Sequence, residues 1–535
     1  VSPVLRRLLP ALLLALVALL LLPAAPASAH AVLVASDPAD GARLAEAPRA
    51  VRLTFDEAVA LPPDATTVLS STGARVDGGG ARLGGGGAVV IPLRADVPAG
   101  VYSVSWRVVS ADSHVVTGSI RFGVRRDADA VQGPVTAGSP LDPAIAAATG
   151  ATYLGLSLGL GVPAAVALLW PSQRGRRRIR RTAGAGLAVV LLATIGDLLL
   201  RGPRASGGGW PGVLRLEDLG YTVTSPPGVV LLVRLVLVVA IAALVLLRPR
   251  AAPSRGSDAA AGAVGLGILT SVALLGHATD GAAGLLVPAA VLHLAAMAVW
   301  VGGLVVLVVA VLPRLRRAPE AGLRVLRRWS VVAFTCVGVL VVTGEVQAFP
   351  TVVPLAALWS TDYGVLLLAK LGLVAAVLVV AAAAQRIAAG APRPARVRLR
   401  HAILAEVVGV VAILGVTAAL SGTATAAETY GPALTRTVAA GTDRLVVDVD
   451  RTRRGSAVLH VRAVDAAGAP VRLQALDGSL ATAGVAALDV AFRRDGPGWR
   501  STDATLPVSG EWTLTLDAEV SSASAYAAEV SWPVW

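Results

Sequence analysis

Two hydrophobic periods divide this chain. Between residues 30 and 126 apolar and polar positions alternate one by one, as in Val51-Arg52-Leu53-Thr54-Phe55, Tyr102-Ser103-Val104-Ser105-Trp106 and Ser119-Ile120-Arg121-Phe122-Gly123-Val124. A period of two predicts half-buried β-strands. Gly78-Gly79-Gly80 and Pro98-Ala99-Gly100 punctuate them as turns. Such a stretch predicts a small β-sandwich. Residues 127–143 are rich in Pro, Gly and Asp and read as a linker. From 144 to 421 alternation gives way to eight apolar stretches, near 144–170, 183–200, 228–247, 259–276, 287–312, 330–348, 363–385 and 401–421. Each is close to the ~20 residues that cross a bilayer as a helix. Alternation returns over 428–535, in Leu445-Val446-Val447-Asp448-Val449, Val458-Leu459-His460-Val461-Arg462 and Gly510-Glu511-Trp512-Thr513-Leu514-Thr515-Leu516. That region predicts a second small β-sandwich.

The connections carry a charge pattern. Loops 171–182, 248–258, 313–329 and 386–400 are rich in arginine, as in Arg176-Arg177-Arg178 and Arg316-Arg317. Loops 201–227, 277–286 and 349–362 are poorer in arginine and carry Glu217, Asp218, Asp280 and Asp362. Positively charged loops stay on the cytoplasmic side, so eight spans leave both soluble ends outside. Residues 1–29 read as a secretory signal, with Arg6 and Arg7, an apolar run from Leu8 to Leu22, and an Ala27-Ser28-Ala29 cleavage site. This independently places the N-terminal domain outside. A 55% hydrophobic composition and a mean hydropathy of +0.71 agree with a multi-pass protein of the cytoplasmic membrane. The net charge of +13 belongs to the loops beside the apolar stretches, so the lipid bilayer is the partner it implies, and nucleic acid is not. Cys336 is the only cysteine, which rules out an intramolecular disulfide.

The membrane region reads as a 4+4 duplication. Tyr363-Gly364-Val365-Leu366-Leu367-Leu368-Ala369-Lys370-Leu371 echoes Pro227-Gly228-Val229-Val230-Leu231-Leu232-Val233-Arg234-Leu235, and Gly344-Glu345 echoes Gly196-Asp197. Lys370 is the chain's only lysine. Intramembrane charges are costly and either pair or line a pathway. Asp197, Arg234, Glu345 and Lys370 are therefore candidates for both roles, and Asp197 and Glu345 are expected to face the bundle interior beside basic partners. His293 and Met297 stand four apart and share one helix face, with Trp300 continuing it. Imidazole with thioether suits Cu(I), though helix packing explains the same stripe. His277 precedes a short loop on the outer side, where it is either close to His293 or simply interfacial. Cys336, His401 and His460 read as structural.

Cleavage after Ala29 would make His30 the N-terminus. A histidine there offers an α-amine and an imidazole nitrogen in one chelate, which suits the tetragonal geometry of Cu(II). Asp112-Ser113-His114 adds a carboxylate and a second imidazole, placed by alternation on one face of a predicted strand. His30, Asp112 and His114 are the expected Cu(II) ligands.

These residues carry a family resemblance. His30 at a cleavage site, Ser36-Asp37-Pro38-Ala39-Asp40-Gly41, Leu53-Thr54-Phe55-Asp56-Glu57 and the run Gly100–Ser119 around Asp112-Ser113-His114 resemble CopC, the periplasmic copper-binding domain. The resemblance implies Cu(II) at His30, Asp112 and His114, with Glu57 matching an acidic residue beside the site. Some members also carry a Met-rich Cu(I) site, and with Met297 as its only methionine this chain lacks that feature. His293 with Trp300-Val301-Gly302-Gly303-Leu304, Arg328-Trp329-Ser330, Thr343-Gly344 and Tyr363-Gly364 leading to Lys370 resemble CopD, a membrane protein associated with copper uptake. The tail loosely resembles YtkA-like extracytoplasmic β domains. The expectation is a copper transporter that captures Cu(II) outside and passes copper inward, with a copper chaperone or cuproenzyme as a receiving partner. The alternative is a copper-binding resistance or metallation module without transport. No GxxxxGK[ST] motif is present, so ATP does not drive it. A copper monooxygenase would share the N-terminal histidine, but Asp112 would occupy the position oxygen needs. A b-type haem carrier needs facing histidine pairs, and only His277, His293 and His401 lie near spans.

Overall fold

A computed structural model describes residues 31–85, 87–110, 115–128, 139–171, 177–247, 255–276, 283–311, 319–390, 395–483, 485–502, 504–521 and 524–535. The expected signal segment, His30, Asp112, His114, His277 and most of the expected linker lie outside them. The described residues form two units. One is helical, with Ser139–Arg204 and Gly208–Ala426, and the other is a β unit built from both ends of the chain.

In the β unit the N-terminal region has strands β1 (Leu33–Asp37), β2 (Arg43–Leu44), β3 (Ala50–Phe55), β4 (Thr66–Ser70), β5 (Arg82–Leu83), β6 (Ala88–Pro92), β7 (Gly100–Val109) and β8 (Val115–Val124). They form two four-stranded sheets, ordered β1-β3-β6-β5 and β2-β8-β7-β4. The period of two accounts for their shared core. Val51, Leu53 and Phe55 of β3 and Val89 and Ile91 of β6 cluster with Tyr102, Val104 and Trp106 of β7 and with Ile120 and Phe122 of β8. The intervening Arg52, Ser105 and Arg121 are exposed. β7 and β8 pair antiparallel from Gly100↔Val124 to Val109↔Val115. β7 ends at Val109 and β8 begins at Val115, and the expected strand positions Asp112 and His114 lie outside the described residues.

The C-terminal region has a six-stranded sheet whose main path runs Phe492–Asp495, Gly498–Ser501, Leu459–Val464, Asp443–Val449 and Leu434–Ala440. A four-stranded sheet runs Val485–Val490, Ala475–Thr482, Gly510–Ser521 and Ser524–Val534. Trp512, Trp532, Leu514, Val447 and Leu459 form their common core.

The helical unit has six helices long and apolar enough to cross a membrane: α1 (Asp142–Leu169), α2 (Arg177–Ser206), α3 (Pro226–Leu244), α5 (Gly284–Val311), α6 (Arg324–Ala348) and α7 (Asp362–Ala383). Two shorter apolar helices, α4 (Asp258–Ala273) and α8 (Leu404–Leu420), stand where the fourth and eighth spans were expected. The most enclosed span is α5, and the least enclosed is α7. Close packing of α1 on α5 depends on two glycines. A Cβ on Gly161 would overlap the Ala298 carbonyl, and one on Gly302 would overlap the Gly161–Val162 backbone. Small residues at such crossings allow the dispersion contacts that hold helices together in lipid. Both α1 and α5 contain one π-helical turn, at Ser157–Gly161 and Leu307–Val311. Trp210, Phe349 and Trp359 are exposed between the long helices, a placement that suits the membrane–water interface.

One local construction occurs twice. Ser225 Oγ donates to Thr222 O (2.7 Å) and accepts from Gly228 N (3.3 Å) at the start of α3. Thr361 Oγ1 donates to Ala357 O (2.7 Å) and accepts from Gly364 N (3.1 Å) at the start of α7. In each case a Cβ on the glycine would strike a carbonyl of the preceding short helix, Thr222 O or Leu358 O. Arg234 and Lys370 each follow that glycine by six residues. The sequence echo thus extends to capping and packing. Replacing Ser225 or Thr361 by alanine is expected to cost about 1 kcal/mol each, read as a drop in the thermal midpoint of the purified protein.

Candidate functional site

At one end of the N-terminal β region, five residues, Asp56 to Ala60, tie two strand ends together. Asp56 N donates to Val32 O (3.0 Å), and Val32 N donates to Asp56 Oδ1 (2.7 Å). At the other end Ala60 N donates to Val109 O (2.8 Å) and Val109 N to Ala60 O (2.9 Å). Val32 is two residues past His30, and Val109 is three before Asp112. Glu57 lies inside this segment and is half-buried. The backbone entering and leaving the predicted ligands is thus fixed to one short connection that carries Glu57. Among the described residues no cluster of three His, Cys, Asp or Glu could hold a metal.

The helical unit holds two polar clusters. In the first, Arg234 of α3 is almost fully buried and donates to Ser271 of α4, from Nε to Oγ (3.0 Å) and from Nη2 to the carbonyl (2.8 Å). Asp197 of α2, also buried, accepts from Arg201 one turn on at 3.0 and 3.1 Å. Asp197 and Tyr153 of α1 lie within electrostatic range of Arg234. A buried charge survives only when paired and hydrogen-bonded, and this network supplies both conditions.

The second cluster centres on His293 of α5. Its Nδ1 lies 2.9 Å from Thr343 Oγ1 of α6. The Thr343 hydroxyl spends its single proton on Val339 O (2.6 Å), so Oγ1 accepts and His293 Nδ1 donates. The Leu340 backbone is a second hydrogen-bond partner of this ring. In the neutral tautomer with the proton on Nδ1 the lone pair lies on Nε2, the usual way a partner on one ring nitrogen prepares the other as a ligand. Lys370 of α7 lies within electrostatic range of the same ring. Met297 and Trp300 are buried in the helical core, as is Cys336. Glu345 departs from expectation, being exposed at the end of α6. Thr343 and Val346 take the buried face there, and Glu345 stands about 200° round the helix from Thr343. Thr343 was named only within the Thr343-Gly344 pair of the CopD resemblance and Ser271 not at all, since a hydroxyl gives little signal inside an apolar helix. The sequence analysis also overlooked Glu406, a buried carboxylate on α8 that stands out as an acid within an apolar run.

Comparison with known proteins matches three segments. Residues 33–125 match the CopC domain, 140–286 the N-terminal domain of copper resistance protein D-like proteins, and 323–420 copper resistance protein D. The copper transport protein CutJ of Bacillus subtilis (strain 168) is 31% identical over 369 residues, covering 66% of this chain and 67% of that protein. The chain belongs to the CopC/CopD copper resistance and transport family. Copper resistance protein C of Pseudomonas syringae pv. tomato is 34% identical over 112 residues, covering 20% of this chain and 88% of that one. The crystal structure of PcoC, a methionine-rich copper resistance protein from Escherichia coli, is 32% identical and covers 18% of this chain and 99% of that one, with a TM-score of 0.16.

With its CopD matches and six long apolar helices, this CopC/CopD chain is a membrane protein. Asp56, Glu57 and the β7–β8 hairpin fall inside the CopC match. Asp197 and Arg234 fall inside the first CopD match, and Thr343 and Lys370 inside the second. His293 and Met297 lie between the two matches. Thr343→Val is expected to cost about 1 kcal/mol by removing a cross-helix hydrogen bond to the His293 ring. A thermal midpoint equal to wild type would show that this bond contributes nothing.

Proposed function

We propose that this CopC/CopD protein captures Cu(II) outside the cytoplasmic membrane and passes copper inward through its helical unit. The observation that carries the capture step is the Asp56–Ala60 connection, bonded at one end to Val32 and at the other to Val109. A chain reaches at most about 3.5 Å per residue. Val32 is two residues from His30 along the chain, and Val115, which pairs with Val109, is one from His114; this supports the reading that the ligands gather at that connection. His30 offers amine and imidazole, Asp112 a carboxylate, His114 a second imidazole, and Glu57 an acceptor that orients a ligand. The N-terminal region contains no methionine, so this donor set favours Cu(II) over Cu(I).

The inward step is assigned to His293 and Met297, with His277 on the approach. His293 Nε2 is the ligand atom, since Nδ1 is committed to Thr343. A thioether four residues on would favour Cu(I), so Cu(II) takes one electron between the two sites from a small-molecule reductant outside the protein, the part that ascorbate plays in the test below. Asp197 bonded to Arg201 and Arg234 bonded to Ser271 act as fixed structural contacts, and Lys370 sets the charge beside His293. Both β regions are extracytoplasmic, eight helices cross the membrane as two four-helix repeats, and the protein transports rather than catalyses. A copper chaperone or cuproenzyme receives the metal.

Proteoliposomes separate this reading from a copper-binding module without transport. Wild-type protein should accumulate radiocopper in the lumen when ascorbate and copper are supplied outside, and His293→Ala should accumulate several-fold less. Copper that stays on the outer surface in both would establish a binding module.

A further inference from the structure

We infer that Arg454 anchors the copper-capturing N-terminal segment, making the C-terminal β region a positioning device for the metal site. The inference rests on the reading of His30 as a ligand, and it assigns a role to a region that the capture and permeation steps leave unused. Arg454 and Asp56 are 398 residues apart, yet Arg454 Nη1 donates to Asp56 Oδ2 at 3.0 Å. Both side chains are 18% exposed, less than the 27% and 29% of the neighbouring Arg451–Asp450 pair, so solvent screens this pair less.

The carboxylate of Asp56 divides its two oxygens. Oδ2 takes the guanidinium, and Oδ1 takes the amide of Val32 at 2.7 Å. The Asp56 amide returns a bond to the Val32 carbonyl at 3.0 Å. Val32 is therefore held on both sides two residues after His30. Arg454 is held in its turn, because its amide donates to the carbonyl of Trp535 (3.3 Å) and the Trp535 amide donates to Thr452 O (3.0 Å). Gly455 follows with φ +109°, a conformation that glycine adopts readily, and its open side faces Val32 Cγ1. A chain of bonds thus runs from the C-terminal residue through Arg454 and Asp56 to the backbone beside the proposed ligand. A charge-assisted bond to a partly buried carboxylate is stronger than a neutral one, so Arg454 stiffens Asp56 and Asp56 stiffens Val32.

A chelate whose amine and imidazole share one terminal residue loses affinity when that residue swings freely. The test uses the full-length purified protein loaded with one Cu(II) and mixed with excess chelator. Arg454→Ala should release Cu(II) about tenfold faster than wild type, in the range seen when a group supporting a metal ligand is lost. The Val32 amide should exchange its hydrogen faster, and the Cu(II) electron paramagnetic resonance spectrum should broaden. Arg454→Lys should recover part of each change. Asp56→Asn, which keeps an acceptor for Val32 but loses the charge, should behave like Arg454→Ala and serves if that variant is poorly produced. Arg451→Ala, which removes the neighbouring Arg451–Asp450 pair (2.9 Å), should match wild type. Wild-type release and exchange in Arg454→Ala, with His30→Ala still losing the metal, would overturn the inference and leave the copper reading intact. A wild-type protein that takes up no Cu(II) would overturn both.

Discussion

Gly302→Val is expected to prevent assembly of the helical unit. Gly302 lies where α5 crosses α1, and a side chain there meets the Gly161–Val162 backbone rather than a rotatable group. Overpacking a core that can adjust its side chains costs about 1–3 kcal/mol. Here the obstacle is main chain on both sides, because a Cβ on Gly161 would strike the Ala298 carbonyl in return. The penalty should exceed about 3 kcal/mol, a large share of the 5–15 kcal/mol that holds a typical domain together. Gly302→Ala should already lower the midpoint of thermal aggregation in detergent, and Gly302→Val should leave little monodisperse protein. Gly338→Ala on α6 is the control, since open space surrounds that position. It should be neutral or slightly stabilising, as alanine is the better helix former. Equal behaviour of the three variants would show that the α1–α5 crossing does not hold the unit together.

The second large effect concerns copper. His30→Ala is expected to weaken Cu(II) binding by more than about 100-fold, because it deletes a direct ligand where losing a mere supporting group costs about 10–100-fold. His114→Ala should do the same, and Asp112→Ala should weaken binding less if Glu57 or water takes the vacated position. A variant in which signal cleavage is blocked should resemble His30→Ala, because the α-amine becomes an amide. Each ligand must lose its proton to bind metal, so affinity should rise with pH and fall as the solution is acidified. Competition titration against a chelator of known strength reads all four variants. Undiminished affinity in His30→Ala would remove the terminal chelate from the account.

Much of this architecture was legible because burial leaves a period. Val51-Arg52-Leu53-Thr54-Phe55 became β3 with its apolar members inside and Arg52 outside, since pairing strands have only that way to hide one face. The long apolar runs became helices because a backbone without water must bond to itself. Phase was less legible. A carboxylate at 345 announces cost, yet only the packing of α6 decides that Thr343 faces inward and Glu345 outward. The same limit hid Glu406, whose burial follows from its position on α8 rather than from its neighbours in sequence. Arg201, one turn from Asp197, could have been read as its partner from spacing alone. Long-range pairs were invisible: nothing in the local pattern around Arg454 or Asp56 announces a bond across 398 residues. The ligand set was proposed from residue chemistry, and the anchoring of its flanks through Val32 and Val109 emerged only from the fold.

The central claim is that capture outside and permeation through α5 act in series. Intracellular copper, measured by elemental analysis in cells producing wild type, His30→Ala or His293→Ala at matched membrane levels, tests it most directly. The account predicts that copper rises with wild type and that both substitutions bring it back towards the level of cells lacking the protein. Intracellular copper unchanged in all three, with envelope copper depending only on His30, would contradict it and leave a surface copper-binding protein.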